Sequence, residues 1–197
     1  MSDKRMVGNY EIFAAMSIGG KEIVMGENPE AEAGTQYICA YCERFFPVEQ
    51  YDGILASDDY VDILEIYCQR LSDEVDRLKE ELKWETSLAS TVVPASGYTP
   101  ITDKDNLRGK VVVIAPQAFG REYQRATRQY QYVTGGFGAS PNSRGSACFC
   151  VCLFDGEKGR FDRRQVLGVA DPEQLPTWAK AGLDSARCDE KKDREAR

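Results

Sequence analysis

The chain contains no histidine among its 197 residues. That absence removes the Ser-His-Asp and Cys-His nucleophile systems, the usual catalytic zinc sites and the default general base near neutral pH. Long apolar runs are missing too. None approaches the roughly 18 residues that a membrane-spanning helix needs, and the opening stretch MSDKRMVGNYEIF lacks the apolar h-region of a secretory signal. The seven cysteines, Cys39, Cys42, Cys68, Cys148, Cys150, Cys152 and Cys188, are odd in number and lack framework-like spacing. Free thiols of this kind behave as small buried hydrophobes in a reducing compartment, so a cytoplasmic protein is expected.

Apolar residues make up 42 %, an ordinary globular share. Net charge is −7, and its distribution says more than its total. Residues 1–97 hold 8 Lys/Arg against 19 Asp/Glu, whereas residues 107–168 hold 10 against 4. An acidic half joined to a basic segment points to surfaces of opposite potential.

Taken in order, residues 7–43 read as a three-stranded meander with a turn at Gly19-Gly20, closing on Gln36–Cys42. A long helix follows. Ser57 is the expected N-cap, Asp58 and Asp59 suit the first turn, and Leu64, Tyr67, Leu71, Val75, Leu78 and Leu82 form an apolar stripe expected to cover a sheet. Residues 86–109 lack periodicity and read as a linker or loop. Lys110–Ala115 is a continuous apolar strand, and Phe119–Arg125 suggests a helical turn or two. Tyr130, Tyr132 and Thr134 alternate on another strand, after which comes the glycine loop Gly135–Ser146. The cysteine-bearing strand Ala147–Phe154 turns at Asp155-Gly156 into a partner strand, Arg160–Val166, that Gly168 ends. Pro172–Arg187 reads as a closing helix, with 188–197 a frayed charged tail. The expected class is α+β: small antiparallel sheets covered by one long central helix and a C-terminal helix. The expected organisation is an acidic unit over 1–85, a linker, a β-rich unit over 110–187, and the tail.

Several motifs carry chemistry. Cys39 and Cys42 have the spacing of a zinc half-site or a redox pair, but residues three apart on a strand face opposite ways, which favours a structural role. Cys148, Cys150 and Cys152 share one strand face about 7 Å apart, too far for neighbours to chelate one ion, and are expected under a covering helix. The loop Gly135–Ser146 could form a nest for an anion with Arg144 as its arm, or simply a long β-connection; no Gly-Lys-Ser/Thr is present. Arg121, Arg125 and Arg128, interleaved with Tyr123, Tyr130 and Tyr132, offer phosphate contacts and stacking faces, unless they pair with the acidic half. Asp58, Asp59, Asp62, Glu65, Asp73, Glu74 and Asp76, continued by Glu80 and Glu81, build a negative column. Such a column can stand in for a phosphate backbone, or be an ordinary solvated face. No metal or cofactor is expected.

Gly109-Lys-Val-Val-Val-Ile, Arg125-Ala-Thr-Arg-Gln129, Thr134-Gly-Gly-Phe-Gly-Ala, Asn142-Ser-Arg-Gly-Ser-Ala-Cys-Phe-Cys150 and Gln174-Leu-Pro-Thr-Trp-Ala179 resemble a family of small accessory proteins carried on bacterial conjugative elements. Val7-Gly-Asn-Tyr and Ala56-Ser-Asp-Asp-Tyr-Val61 are similar to that family as well, so the likeness covers most of the chain. It implies no catalytic residue. It implies context: the cargo of mobile elements includes proteins that blunt host restriction or CRISPR nucleases. The expectation is a non-enzymatic counter-defence inhibitor, anti-CRISPR or antirestriction in kind, acting on a host nuclease or nucleoprotein complex through Asp58, Asp59, Asp62, Glu65, Asp73, Glu74 and Asp76. The alternative is a direct nucleic-acid binder using Arg121, Arg125, Arg128 and Arg144. A third reading, an enzyme acting on a phosphorylated small molecule at the glycine loop, lacks a base.

Overall fold

The computed structural model describes residues 5–45, 48–89 and 91–195. It is α+β with antiparallel sheets, a long central helix and a C-terminal helix. Two compact units divide the chain between Leu82 and Lys83. Among the described residues no helix is long and apolar enough to cross a membrane.

The first unit is a five-stranded meander in sequential order: β1 (Met6–Val7), β2 (Tyr10–Ile18), β3 (Lys21–Glu27), β4 (Tyr37–Phe45) and β5 (Val48–Ser57). Gly19 and Gly20, with φ of 60° and 80°, form the two-residue turn that pairs Ile18 with Lys21. Strand β5 escapes a reading by periodicity because Asp52-Gly53 resembles a turn. In the fold Gly53 has a φ of 60° and sits at a bulge, where Gly53 and Ile54 together oppose Ala40.

Helix α1 (Tyr60–Leu88) covers one face of this sheet, with Ile63 packed on Ile23, Met25 and Cys39 and flanked by Leu64, Tyr67 and Leu71. The other face buries Val24, Ala40 and Cys42 beside Ile12 and Tyr51. The sheet bends enough for Arg5, just before β1, to reach Glu22 at 2.6 Å and Glu49 on β5 at 3.3 Å. Asp59 is the cap, its carboxylate accepting the Val61 N–H at 2.7 Å. Ser57 lies two residues upstream and instead accepts the Asp59 N–H. The buried seam also sits slightly off the expected stripe: Ile63 and Glu74 are inside, and Val75 is exposed.

The second unit begins with the last turns of α1. Its six-stranded antiparallel sheet has the order β10-β9-β8-β7-β11-β6, formed by β6 (Thr99–Pro100), β7 (Val111–Ile114), β8 (Tyr130–Gly135), β9 (Ala147–Cys152), β10 (Lys158–Asp162) and β11 (Val166–Val169). The single-turn helix α2 (Ala126–Gln129) leads into β8, and α3 (Thr177–Glu195) closes the unit. Central β7 is buried on both faces, as its unbroken apolar run requires. Val111 and Val113 join Tyr130, Tyr132, Leu175, Ala179 and Leu183 on the α3 side. Val112 and Ile114 join Leu107, Val133, Cys148 and Cys150 on the other.

Five sequence expectations change here. The segment 86–109, expected as a linker or a loop, is not a free linker: it is a loop built into the second unit, supplying β6 and the fully buried Leu107. The cysteine face is covered by Leu107, Ile101, Phe119 and Ala139 from connecting segments, while α3 lies over the opposite face. Gly168 does not end a strand; it sits inside β11 between β7 and β6, where a Cβ would collide with Thr99 O. The stretch expected as one strand, Arg160–Val166, is two, β10 and β11, joined by a short turn at Arg163–Gln165. Helix α3 runs on to Glu195, so most of the expected frayed tail is helical, and residues 196–197 lie outside the described residues.

Candidate functional site

Helical geometry sorts the acidic column of α1. At about 100° of rotation per residue, Asp62, Glu65, Asp73, Asp76 and Glu80 fall within about 80° of one another. That stripe points away from the side holding Ile63, Tyr67, Glu74 and Leu78. All five carboxylates are exposed, and at 1.5 Å rise per residue they extend over about 27 Å. Asp76 has Lys79 at 2.8 Å, both well exposed. Asp73 accepts from Gln69 and Asp62 from Ser57. Among the described residues no ion pair reaches Asp62, Glu65 or Asp73. Asp62, Glu65 and Asp73 therefore carry charge that no cation at ion-pair distance offsets among the described residues.

The other three expected contact residues have structural work. Asp58 accepts the backbone N–H groups of Gly34 at 2.5 Å and Gln36 at 3.1 Å, tying the β3–β4 loop to the helix start. Those bonds hold its pKa below the usual aspartate value. Asp59 caps α1. Glu74 is the clearest correction: it is 5 % exposed, on the buried side, and bonds Lys21 at 3.0 Å and Arg77 at 2.6 Å. Burial raises its proton affinity, but the two cations outweigh burial and leave the pKa lowered. No partner can reach it.

The arginine segment lies in the second unit. Arg128 is mostly enclosed: it pairs with Glu85, which is 1 % exposed, and with Asp155 at 2.5 Å, and it lies over the rings of Tyr123 and Phe154. Arg125 donates to Thr86 Oγ1 and Glu122 O. Tyr130 and Tyr132 are buried and present no stacking face. Arg121 and Arg144 remain exposed. Of the four guanidinium groups, those of Arg125 and Arg128 are thus engaged within the unit.

At the glycine loop the important arginine is Arg163, which sequence reasoning passed over. Its guanidinium donates to Gly138 O at 2.5 Å, Thr102 O at 2.8 Å and Asp105 O at 2.9 Å. Three chain segments are stapled by one side chain, so the loop has a shape-holding role. Gly136, with a φ of 97°, packs so closely on Ala147 O that a Cβ would collide with it. No local signal marks Arg163; its partners lie up to 61 residues away.

Cys39 and Cys42 face opposite sides of the first sheet, in separate clusters. Burial pushes the Cys150 thiol up to about 12 and the Cys152 thiol up to about 11, so both stay protonated and poorly nucleophilic. Among the described residues no group of three or more Cys, Asp and Glu is arranged to hold a metal ion. A cavity of about 850 Å³ lies between the β9–β10 hairpin and α3. Its rim sets Lys158, Arg160 and Lys192 against Asp155, Asp189 and Glu190, a balance that selects no ligand charge.

The class defined by these features is an α+β protein of two units that displays an exposed acidic helix face. No protein-family profile, curated protein or solved structure matches the chain.

Proposed function

We propose that the protein is a non-enzymatic binding protein that presents the α1 stripe to a basic protein surface. The target class implied by the resemblance to mobile-element accessory proteins is a host defence nuclease, engaged at its nucleic-acid groove. One observation carries the reading: Asp62, Glu65, Asp73 and Asp76 lie on one exposed helix face with a single lysine among them. The buried, protonated thiols and the absence of histidine favour binding over catalysis. The direct nucleic-acid reading loses support because Arg128 is committed to Glu85 and Asp155.

The test is capture of partners from bacterial lysate by the tagged full-length protein, with and without nuclease. It is repeated with Asp62→Asn, Glu65→Gln, Asp73→Asn and Asp76→Asn combined. A protein partner should survive nuclease and be lost from the neutralised variant at unchanged melting temperature. Four exposed charge contacts together give about 2 kcal/mol, or about thirtyfold in Kd. Raising salt from 0.1 M to 1 M, where the Debye length falls from about 10 Å to about 3 Å, should weaken capture similarly. Recovery that collapses with nuclease, or a partner kept by the folded variant, would overturn the proposal.

A further inference from the structure

We infer that the groove between β5 and α1 accepts an extended, lysine- or arginine-bearing segment of a partner protein as an added strand. The inference rests on the acidic-surface reading and narrows it to one place and one kind of partner. The groove has a volume of about 650 Å³ and is lined by Leu55, Ala56 and Ser57 of β5 and by Asp62, Glu65, Ile66 and Gln69 of α1. Arg70 closes one end, but its guanidinium is committed to Gly53 O at 2.5 Å and Cys39 O at 3.2 Å and stacks on Tyr41. Asp62 and Glu65 are the remaining charges of the lining.

Strand β5 is the edge of its sheet, and among the described residues it pairs only with β4. An edge strand turns alternate N–H and C=O groups outward, and proteins ordinarily blunt such an edge with lysine, proline or a cover. The half from Gly53 to Ser57 has neither lysine nor proline, and Ile54 and Leu55 are 51 % and 46 % exposed. Leu55 pairs with Cys39 and so shares the α1 face of the sheet. Every second side chain of an added strand would face the groove. A lysine or arginine there lays its aliphatic stem over Leu55 and Ile66 and brings its charge to Asp62 or Glu65. Backbone pairing supplies affinity and the carboxylates select the cationic sequence, the division of labour usual in strand addition.

The probe is the synthetic peptide acetyl-Val-Lys-Val-Lys-Val-Lys-Val-amide, titrated into the isotope-labelled full-length protein and followed by amide resonances and hydrogen exchange. Its glutamate counterpart is the control. Binding of the lysine peptide should slow exchange at outward amides of residues 54–57, and the glutamate peptide should not bind. Leu55→Lys, or Asp62→Lys with Glu65→Lys, should weaken binding about tenfold or more, while Asp73→Lys with Asp76→Lys should change it far less. No binding, protection elsewhere, or equal loss from the two charge-reversed pairs would overturn the inference. The lysate partner separates the two proposals. If it is lost with Asp73→Lys/Asp76→Lys and kept by the groove variants, the groove assignment is wrong and the stripe stands. If every folded variant keeps it, the stripe reading fails too.

Discussion

Replacing Glu85 tests whether Arg128 is a structural clamp or a surface for nucleic acid. Glu85, in the last turn of α1, accepts from the Thr127 hydroxyl at 3.0 Å and from the Arg128 guanidinium, and is 1 % exposed. Glu85→Ala removes two charge-assisted hydrogen bonds to its carboxylate, each worth about 1.5–2 kcal/mol. It also leaves Arg128 largely enclosed with Asp155 as its main counter-charge, for a total near 3–4 kcal/mol. Arg128→Met should cost a similar amount, because Glu85 then loses its cation. The double variant Glu85→Leu/Arg128→Met should recover most of the loss, since apolar packing often replaces a buried pair at little cost. Urea unfolding followed by tryptophan fluorescence suits the measurement. Both tryptophans, Trp84 and Trp178, belong to the second unit, and Trp178 packs against Tyr130 and Phe154. Single-variant losses below about 1 kcal/mol, or losses that simply add in the double variant, would refute the clamp.

Three further outcomes are expected. Gly182→Ala should destabilise by about 2 kcal/mol or more in the same unfolding assay, because a Cβ on α3 would collide with Leu153 O. Arg163→Lys should speed amide exchange through residues 138–146 without changing secondary structure by circular dichroism, since an ammonium cannot reproduce a planar fork reaching carbonyls of two separate loops. Glu74 has a pKa lowered from 4.5, so its contribution to stability is present above that value and lost as pH falls through the folded-state pKa. Glu74→Gln should therefore lower the melting temperature at pH 7 and narrow the gap to wild type at pH 3, whereas Asp73→Asn should change neither.

Much of the architecture is local information, and the sequence by itself determined it. The 3.6-residue period of α1, the unbroken apolar run at Val111–Ile114, the Gly19-Gly20 turn and the alternating cysteines each state their own structure within a few residues. The absence of histidine likewise limits the chemistry without reference to any fold. Tertiary structure decided which charges are available. Glu74 and Asp73 are neighbours in one acidic run, yet one is buried against Lys21, 53 residues away, and the other faces solvent. Arg128 is open between a nucleic-acid contact and a partner of the acidic half until Glu85, 43 residues upstream, is brought against it. Arg163 and the strands β5 and β6 were illegible for the same reason. Their partners are distant in sequence, and a residue's own composition carries no record of the group that will satisfy it.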